Sequence, residues 1–196
     1  MNSLNTAAIY LLQTLGNLYL LVVLLRFLLQ LVRADFYNPI SQFIVRATKP
    51  LLMLLRRIIP GYGGLDFASL VLALAIQLVL MVLIIKLMGY ALPNIILLVA
   101  WSAIGILALF AKIFFFALII SVILSWVAQG SYNPAVTLIN QLCEPLLAPI
   151  RKILPALGGL DLSPIFAFIA IRLFDMLVIA NLAAAASMPR GLTLAL

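Results

Sequence analysis

The 196-residue chain has no histidine, so it has no imidazole to serve as a base, a metal ligand or a haem axial ligand. A single cysteine, Cys143, excludes an internal disulfide and a thiolate zinc site. Acid is equally scarce. Asp35, Asp66, Glu144, Asp161 and Asp175 are the only carboxylate side chains, and they lie far apart in sequence. These shortages point away from an enzyme, and neither a metal nor another cofactor is expected. Charged residues make up 9% of the chain, where about 25% is usual in a soluble domain. What is abundant is apolar: 67% of residues are hydrophobic and the mean hydropathy is +1.31. A soluble domain of this size could not hide so much apolar surface and stay wettable. The composition specifies an all-α integral membrane protein.

The formal charge of +7 would suggest nucleic acid in a soluble protein. Here the basic residues flank apolar stretches, so the expected partner is a bilayer with anionic headgroups, and no nucleic acid. The first cationic side chain is Arg26. The N-terminal apolar stretch therefore lacks the positive n-region of a signal peptide and is expected to stay as a membrane span.

An internal repeat organises the chain. Residues 37–66 and 132–161 align without a gap at a spacing of 95, with 14 of 30 positions identical. The identities include Tyr37/Tyr132, Asn38/Asn133, Pro39/Pro134, Pro50/Pro145, Arg56/Arg151, Pro60/Pro155 and the Gly-Gly-Leu-Asp runs ending at Asp66 and Asp161. Chance among leucines does not align prolines, asparagines and aspartates. The expected domains are a first repeat, 1–92, and a second, 93–196. A helical span needs about 20 residues. The first repeat then carries spans near 7–32 and 66–90 about an amphipathic connector, 38–60. The second carries spans near 102–127 and 162–186 about a connector, 133–155. Four transmembrane helices result, with a short or re-entrant piece near 91–100 left open. Two spans per repeat make the repeats parallel, whereas inverted repeats need an odd number.

Orientation follows from the basic residues. Arg33, Arg46, Lys49, Arg56 and Arg57 lie in the first connector region and Arg151 and Lys152 in the second, against Lys86 near a span end and Arg190 in the tail as the candidates for the other side. The connectors are expected to face the cytoplasm and both termini the outside. Gln42, Arg46, Lys49 and Arg56 fall on one helical stripe beside a wide apolar face, the pattern of a helix lying in the interface with snorkelling cations. Pro50 is expected to split this connector into helices 39–48 and 50–59. Thr137, Gln141, Glu144 and Arg151 keep the stripe in the second copy. Lys49 has become Glu144, and the two are read as solvated headgroup-level charges rather than a bridge between copies. Arg46, Lys49, Arg56, Arg57, Glu144, Arg151 and Lys152 are the expected lipid- or partner-binding residues. Asp66 and Asp161 sit where helix N-caps belong.

Ionisable groups at membrane depth are costly, and Gln77, Lys112, Arg172 and Asp175 are the candidates. Arg172 and Asp175, three apart, share one helix face and can pair. Gln77, also polar, occupies the position equivalent to Arg172, so these positions are expected to line the bundle interior. Two readings stay open for this set: a polar cavity or partner contact, or interior glue that fixes helix register. Arg26 and Lys86 lie close enough to span ends to snorkel. Trp101, Trp126 and Tyr132 are expected as interfacial anchors, and Cys143 as an unreactive small hydrophobe.

The doubled pattern N-P…[KE]-P-L-L…R-[RK]-I-[IL]-P…G-G-L-D resembles the YggT family of bacterial membrane proteins, which includes plastid and Gram-positive YlmG relatives. The likeness covers nearly the whole chain, and E-P-L-L-A-P-I-R-K-I-L-P-A-L-G-G-L-D-L-S-P, residues 144–164, is its most specific stretch. The first copy departs from it at Lys49, Leu54 and Phe67-Ala68-Ser69. The two-repeat form is similar to proteobacterial inner-membrane members. The resemblance implies a bacterial inner-membrane protein without an agreed catalytic residue. Plastid relatives are associated with haem attachment in cytochrome b6 maturation and with nucleoid or plastid distribution; bacterial ones are linked to division, shape and osmotic tolerance. Without histidine, any haem role would be that of an assembly factor. The expected function is an assembly or organising factor acting on another membrane protein or as a homodimer. The alternative is a small transporter, channel or modulator of ion flux.

Overall fold

A computed structural model describes residues 3–59, 64–127, 133–153, 161–189 and 192. Six helical stretches follow one another among them: α1 (Ser3–Leu31), α2 (Pro39–Leu55), α3 (Phe67–Leu87), α4 (Ile95–Val127), α5 (Pro134–Ile153) and a last one from Ser163 to Ala185. The last comprises α6 (Ser163–Phe174), a π-helical turn (Asp175–Ile179) and α7 (Ala180–Ala185). α1, α3, α4 and Ser163–Ala185 are long and apolar enough to cross a membrane. The protein is an all-α, multi-span membrane protein.

The spans form because uninterrupted apolar sequence leaves the backbone no partner in lipid except itself. α4 has 33 residues, which at about 1.5 Å rise reach about 50 Å, well beyond the hydrocarbon core. Its first turns take up residues 95–100, so the piece near 91–100 is no re-entrant segment. It is the start of a span, preceded by a short irregular stretch after Gly89. The connectors, α2 and α5, do have one buried stripe each. Ile44, Thr48 and Leu52 face inward from α2, and Leu138, Leu142 and Leu147 from α5. Their other faces are exposed.

Pro50 does not split the first connector: α2 continues through it, and α5 continues through Pro145 and Pro149. A proline leaves the carbonyl four residues earlier without its helical donor. For Pro50 that residue is Arg46, and both are exposed, so water or a headgroup can supply the missing bond.

The core runs through the bundle between α1, α3 and α4, with Leu20, Val23, Leu24 and Leu28 packed against Leu72, Ala73 and Leu118. α1 packs against α3 at Gly16, where an added Cβ would run into the side chain of Leu80. Leu80 is flexible at its tip, so Gly16→Ala is expected to be mild. Gly16→Ile is expected to wedge the helices and cost about 1–3 kcal/mol, read as a lower unfolding midpoint in detergent. An unchanged midpoint for Gly16→Ile would show that the helices do not close on this position.

The two connectors meet. Asn38 accepts from the Ile40 amide (2.9 Å), capping α2, and its Nδ2 donates to the Pro134 carbonyl at the start of α5 (2.7 Å). The Asp35 amide donates to Gln141 Oε1 (3.2 Å). α2 and α5 thus lie at one end of the bundle, beside the last turns of α1 and α4 and the first turns of α3 and α6.

Candidate functional site

At that end, Asp66 joins three helices. It caps α3, taking the Ser69 amide on Oδ1 (3.3 Å) and the Ser69 hydroxyl on Oδ2 (2.7 Å). Arg56, at the end of α2, places Nη2 2.6 Å from Oδ2, and Arg26 of α1 places Nε 3.6 Å from the same oxygen. Arg26 also donates through Nη1 to the Val45 carbonyl (3.0 Å) and to Thr48 Oγ1 (2.7 Å). The Asp66 and Arg26 side chains are 2% and 8% exposed, so this is a buried pair rather than a snorkelling cation. Burial pushes the Asp66 carboxyl up, but the bonds from Ser69 and Arg56 outweigh it and hold the group below the usual aspartate range.

The second connector repeats the motif with a different outcome. Arg151 puts Nε and Nη2 each 2.9 Å from Asp161 Oδ2, and Nη1 3.0 Å from Glu144 Oε2. Asp161 Oδ1 accepts from the Ser163 amide (2.9 Å). Burial raises the Asp161 carboxyl, and the bonds from Ser163 and Arg151 more than reverse that, leaving it below its ordinary value. Here all three ions are open to solvent, Asp161 at 45% and Glu144 at 56%. Ser121 stands where the first half has Arg26, and its hydroxyl donates to Asn140 Oδ1 (3.1 Å). Cys143, the counterpart of Thr48, is fully buried, and burial pushes its thiol up to about 11. It stays protonated and unreactive near neutral pH.

Of the residues expected to bind lipid or partner, Arg46, Lys49, Arg57 and Lys152 are exposed along the connectors. Arg56 and Arg151 are committed to Asp66 and Asp161. Glu144 is paired within its own half by Arg151. Asp66 is the N-cap of α3, whereas Asp161 lies one residue before the N-cap position of α6, held by Leu162. Sequence reasoning missed Arg26 as an interior ion, and missed the arginine–aspartate pairing. The signal was present: Arg56–Asp66 and Arg151–Asp161 have the same ten-residue separation in both copies.

The four polar residues expected at membrane depth divide. Gln77 faces the interior of α3's packing surface, and its Oε1 has no hydrogen-bond partner among the described residues. Arg172 and Asp175 do not line the interior. They pair at 3.4 Å on the outer surface, 68% and 39% exposed. Lys112, exposed on α4, lines the same cavity of about 170 Å³ together with Ala108, Phe115 and Ile171. The π-helical turn begins at Asp175, whose carbonyl receives the Ala180 amide. Such turns often mark functional positions in a helix. Trp126 is exposed near the end of α4, as an anchor would be, but Trp101 is buried and donates to the Ala186 carbonyl (2.8 Å). The reason is local: α4 starts at Ile95, so Trp101 lies two turns inside its helix and against α7. Tyr132 and Arg190 lie outside the described residues.

Among the described residues no group of three or more Cys, Asp or Glu could hold a metal ion. No solved structure matches the chain. The CCB3/YggT family model matches residues 5–87 and again 100–182, two stretches that start 95 residues apart. The chain is 72% identical over 195 residues to the Pseudomonas aeruginosa protein PA0392, covering 99% of each. It is 39% identical over 170 residues to YggT of Escherichia coli K12, covering 85% of this chain and 86% of that one. A shorter likeness, 39% over 66 residues, reaches YlmG homolog protein 2 of Arabidopsis thaliana, covering 33% and 26%. With four helices among the described residues long and apolar enough to cross a membrane, the chain belongs to the CCB3/YggT family as a multi-pass protein of the bacterial inner membrane.

Proposed function

We propose that this protein is a non-catalytic organising or assembly factor that docks a partner transmembrane helix, from another membrane protein or from a second copy, onto its α4–α6 face. The observation that carries this is the placement of Lys112, Arg172 and Asp175. All three lie near the middle of helices long and apolar enough to cross a membrane, yet on the outer surface. Lipid covers the exposed Phe166, Ile169, Leu173 and Met176 nearby at no cost. It solvates charged groups poorly, and even ions that pair with one another stay costly to place at a helix centre. A polar contact from a neighbouring helix removes that cost.

In this proposal the two halves are parallel repeats, 1–92 and 93–196, with both connectors on the cytoplasmic side. Arg46, Lys49, Arg57 and Lys152 hold them to anionic headgroups, each cation near the surface contributing about 1 kcal/mol. Modulation of ion flux is a second reading, favoured by the convergence of three charged groups on one cavity. It predicts that Asp175→Asn alters flux in liposomes at unchanged yield.

Purification from native membranes in mild detergent, with a photo-crosslinker at position 176, tests the docking. The expected result is a near-stoichiometric membrane protein, or a second copy, linked to the Ser163–Ala185 helix. A monodisperse monomer that links only to lipid from this position would overturn it.

A further inference from the structure

The two ion clusters differ at one decisive point. In the first half the Arg26 guanidinium fills the space between α1, α2 and Asp66, against the Val45 carbonyl, Thr48 Oγ1 and the Asp66 carboxylate. In the second half the corresponding positions are Asn140, Cys143 and Asp161, while Ser121 replaces the arginine. A hydroxymethyl group cannot fill the volume of a guanidinium and its stem. A cavity of about 720 Å³ opens there, lined by Ser121, Ser125, Trp126, Asn140, Glu144 and Asp161 among others. Asp66 is 2% exposed and its counterpart Asp161 is 45% exposed.

Charge changes in the same direction as volume. Where the first half has Lys49, the second has Glu144. Arg151 faces both Glu144 and Asp161 and neutralises one carboxylate, so the cavity retains a net negative charge. Ser121 and Ser125 come from the last turns of α4, where the carbonyl end of the helix favours a cation. Trp126 and Phe168 add aromatic walls able to take a cation on their faces.

We infer that this cavity binds a guanidinium or primary ammonium group from outside the chain, in the place that Arg26 occupies within the first half. Asp161 and Glu144 supply the counter-charge, and Asn140 and Ser121 the neutral acceptors. The same chemistry is carried by a soluble amine and by the amino headgroup of phosphatidylethanolamine. The inference is independent of docking at α6, since no residue is shared between the two sites.

The test is a thermal-unfolding titration of the purified protein in dodecyl maltoside with agmatine, against sodium chloride at equal ionic strength. The expected result is a saturable rise in the unfolding midpoint with agmatine alone. Glu144→Gln should weaken the apparent affinity about tenfold, the loss of one charge-assisted contact. Ser121→Arg should abolish the response, because the chain then carries its own guanidinium there, and should raise the midpoint without ligand. In parallel, nanodiscs containing phosphatidylethanolamine or phosphatidylglycerol identify the source. Phosphatidylethanolamine retained by the wild type and lost from Ser121→Arg assigns the lipid; an agmatine response without such retention assigns a soluble amine. No agmatine response together with no lipid preference overturns the inference. So does an agmatine response that is equal in the wild type, Glu144→Gln and Ser121→Arg.

Discussion

Replacing Asp66 by Asn is expected to destabilise the protein by about 3–5 kcal/mol, because it strands the buried Arg26 guanidinium without a counter-ion. The equivalent change, Asp161→Asn, is expected to cost about 1 kcal/mol or less, because its partners are solvated. Both variants keep the shape of the side chain and its ability to accept from the following helix, so the contrast isolates charge. A double change, Arg26→Leu with Asp66→Asn, should recover much of the loss, since removing both buried ions leaves neither unpaired. Unfolding midpoints in one detergent provide the comparison, and equal losses for Asp66→Asn and Asp161→Asn would contradict the difference in burial. The result runs against the impression given by sequence, where the second copy carries the fuller motif.

The same pair sets a response to acid. Asp66 titrates below its unfolded value in the native protein. Its contribution to stability is therefore fully present above the unfolded aspartate pKa of about 3.9 and is lost as pH falls below it, through the folded value. The wild-type midpoint should drop in that window, and in Asp66→Asn the drop should shrink.

The long apolar helices are legible in the sequence because lipid enforces them: apolar length is directly readable. The gapless spacing between Arg56 and Arg151 also carries through to structure, since both arginines meet the aspartate ten residues on. Two things were not legible. Pro50 reads as a break, but whether a helix survives proline depends on whether the freed carbonyl is solvated, and that is a property of the folded surface. Arg26 reads as a snorkelling cation near a span end. Its inward course depends on Thr48 and the Val45 carbonyl standing at the right height on α2, which no one-dimensional pattern states. Arg172 and Asp175 show the converse limit. Their pairing follows from a spacing of three, but the side of the bundle they face does not.

That outward placement sets up the second large effect. Asp175→Leu leaves Arg172, midway along an apolar helix, without the carboxylate 3.4 Å away, and an unpaired cation at a helix centre is expected to carry the full insertion cost of about 2.5–3.5 kcal/mol. Membrane yield is expected to fall severalfold or more. The double replacement, Arg172→Leu with Asp175→Leu, removes both ions and makes this stretch of the span wholly apolar, so yield should return to the wild-type level or exceed it. If the pair existed to fix register within the chain, nothing more would follow. If it marks a contact with a partner helix, the double variant inserts well and folds well, but the partner is lost from mild-detergent purification. Yield reports the membrane cost and co-purification reports the contact, so the two readouts separate the explanations. A double variant that inserts normally and still retains its full complement of partner would remove the α4–α6 face from the assembly role.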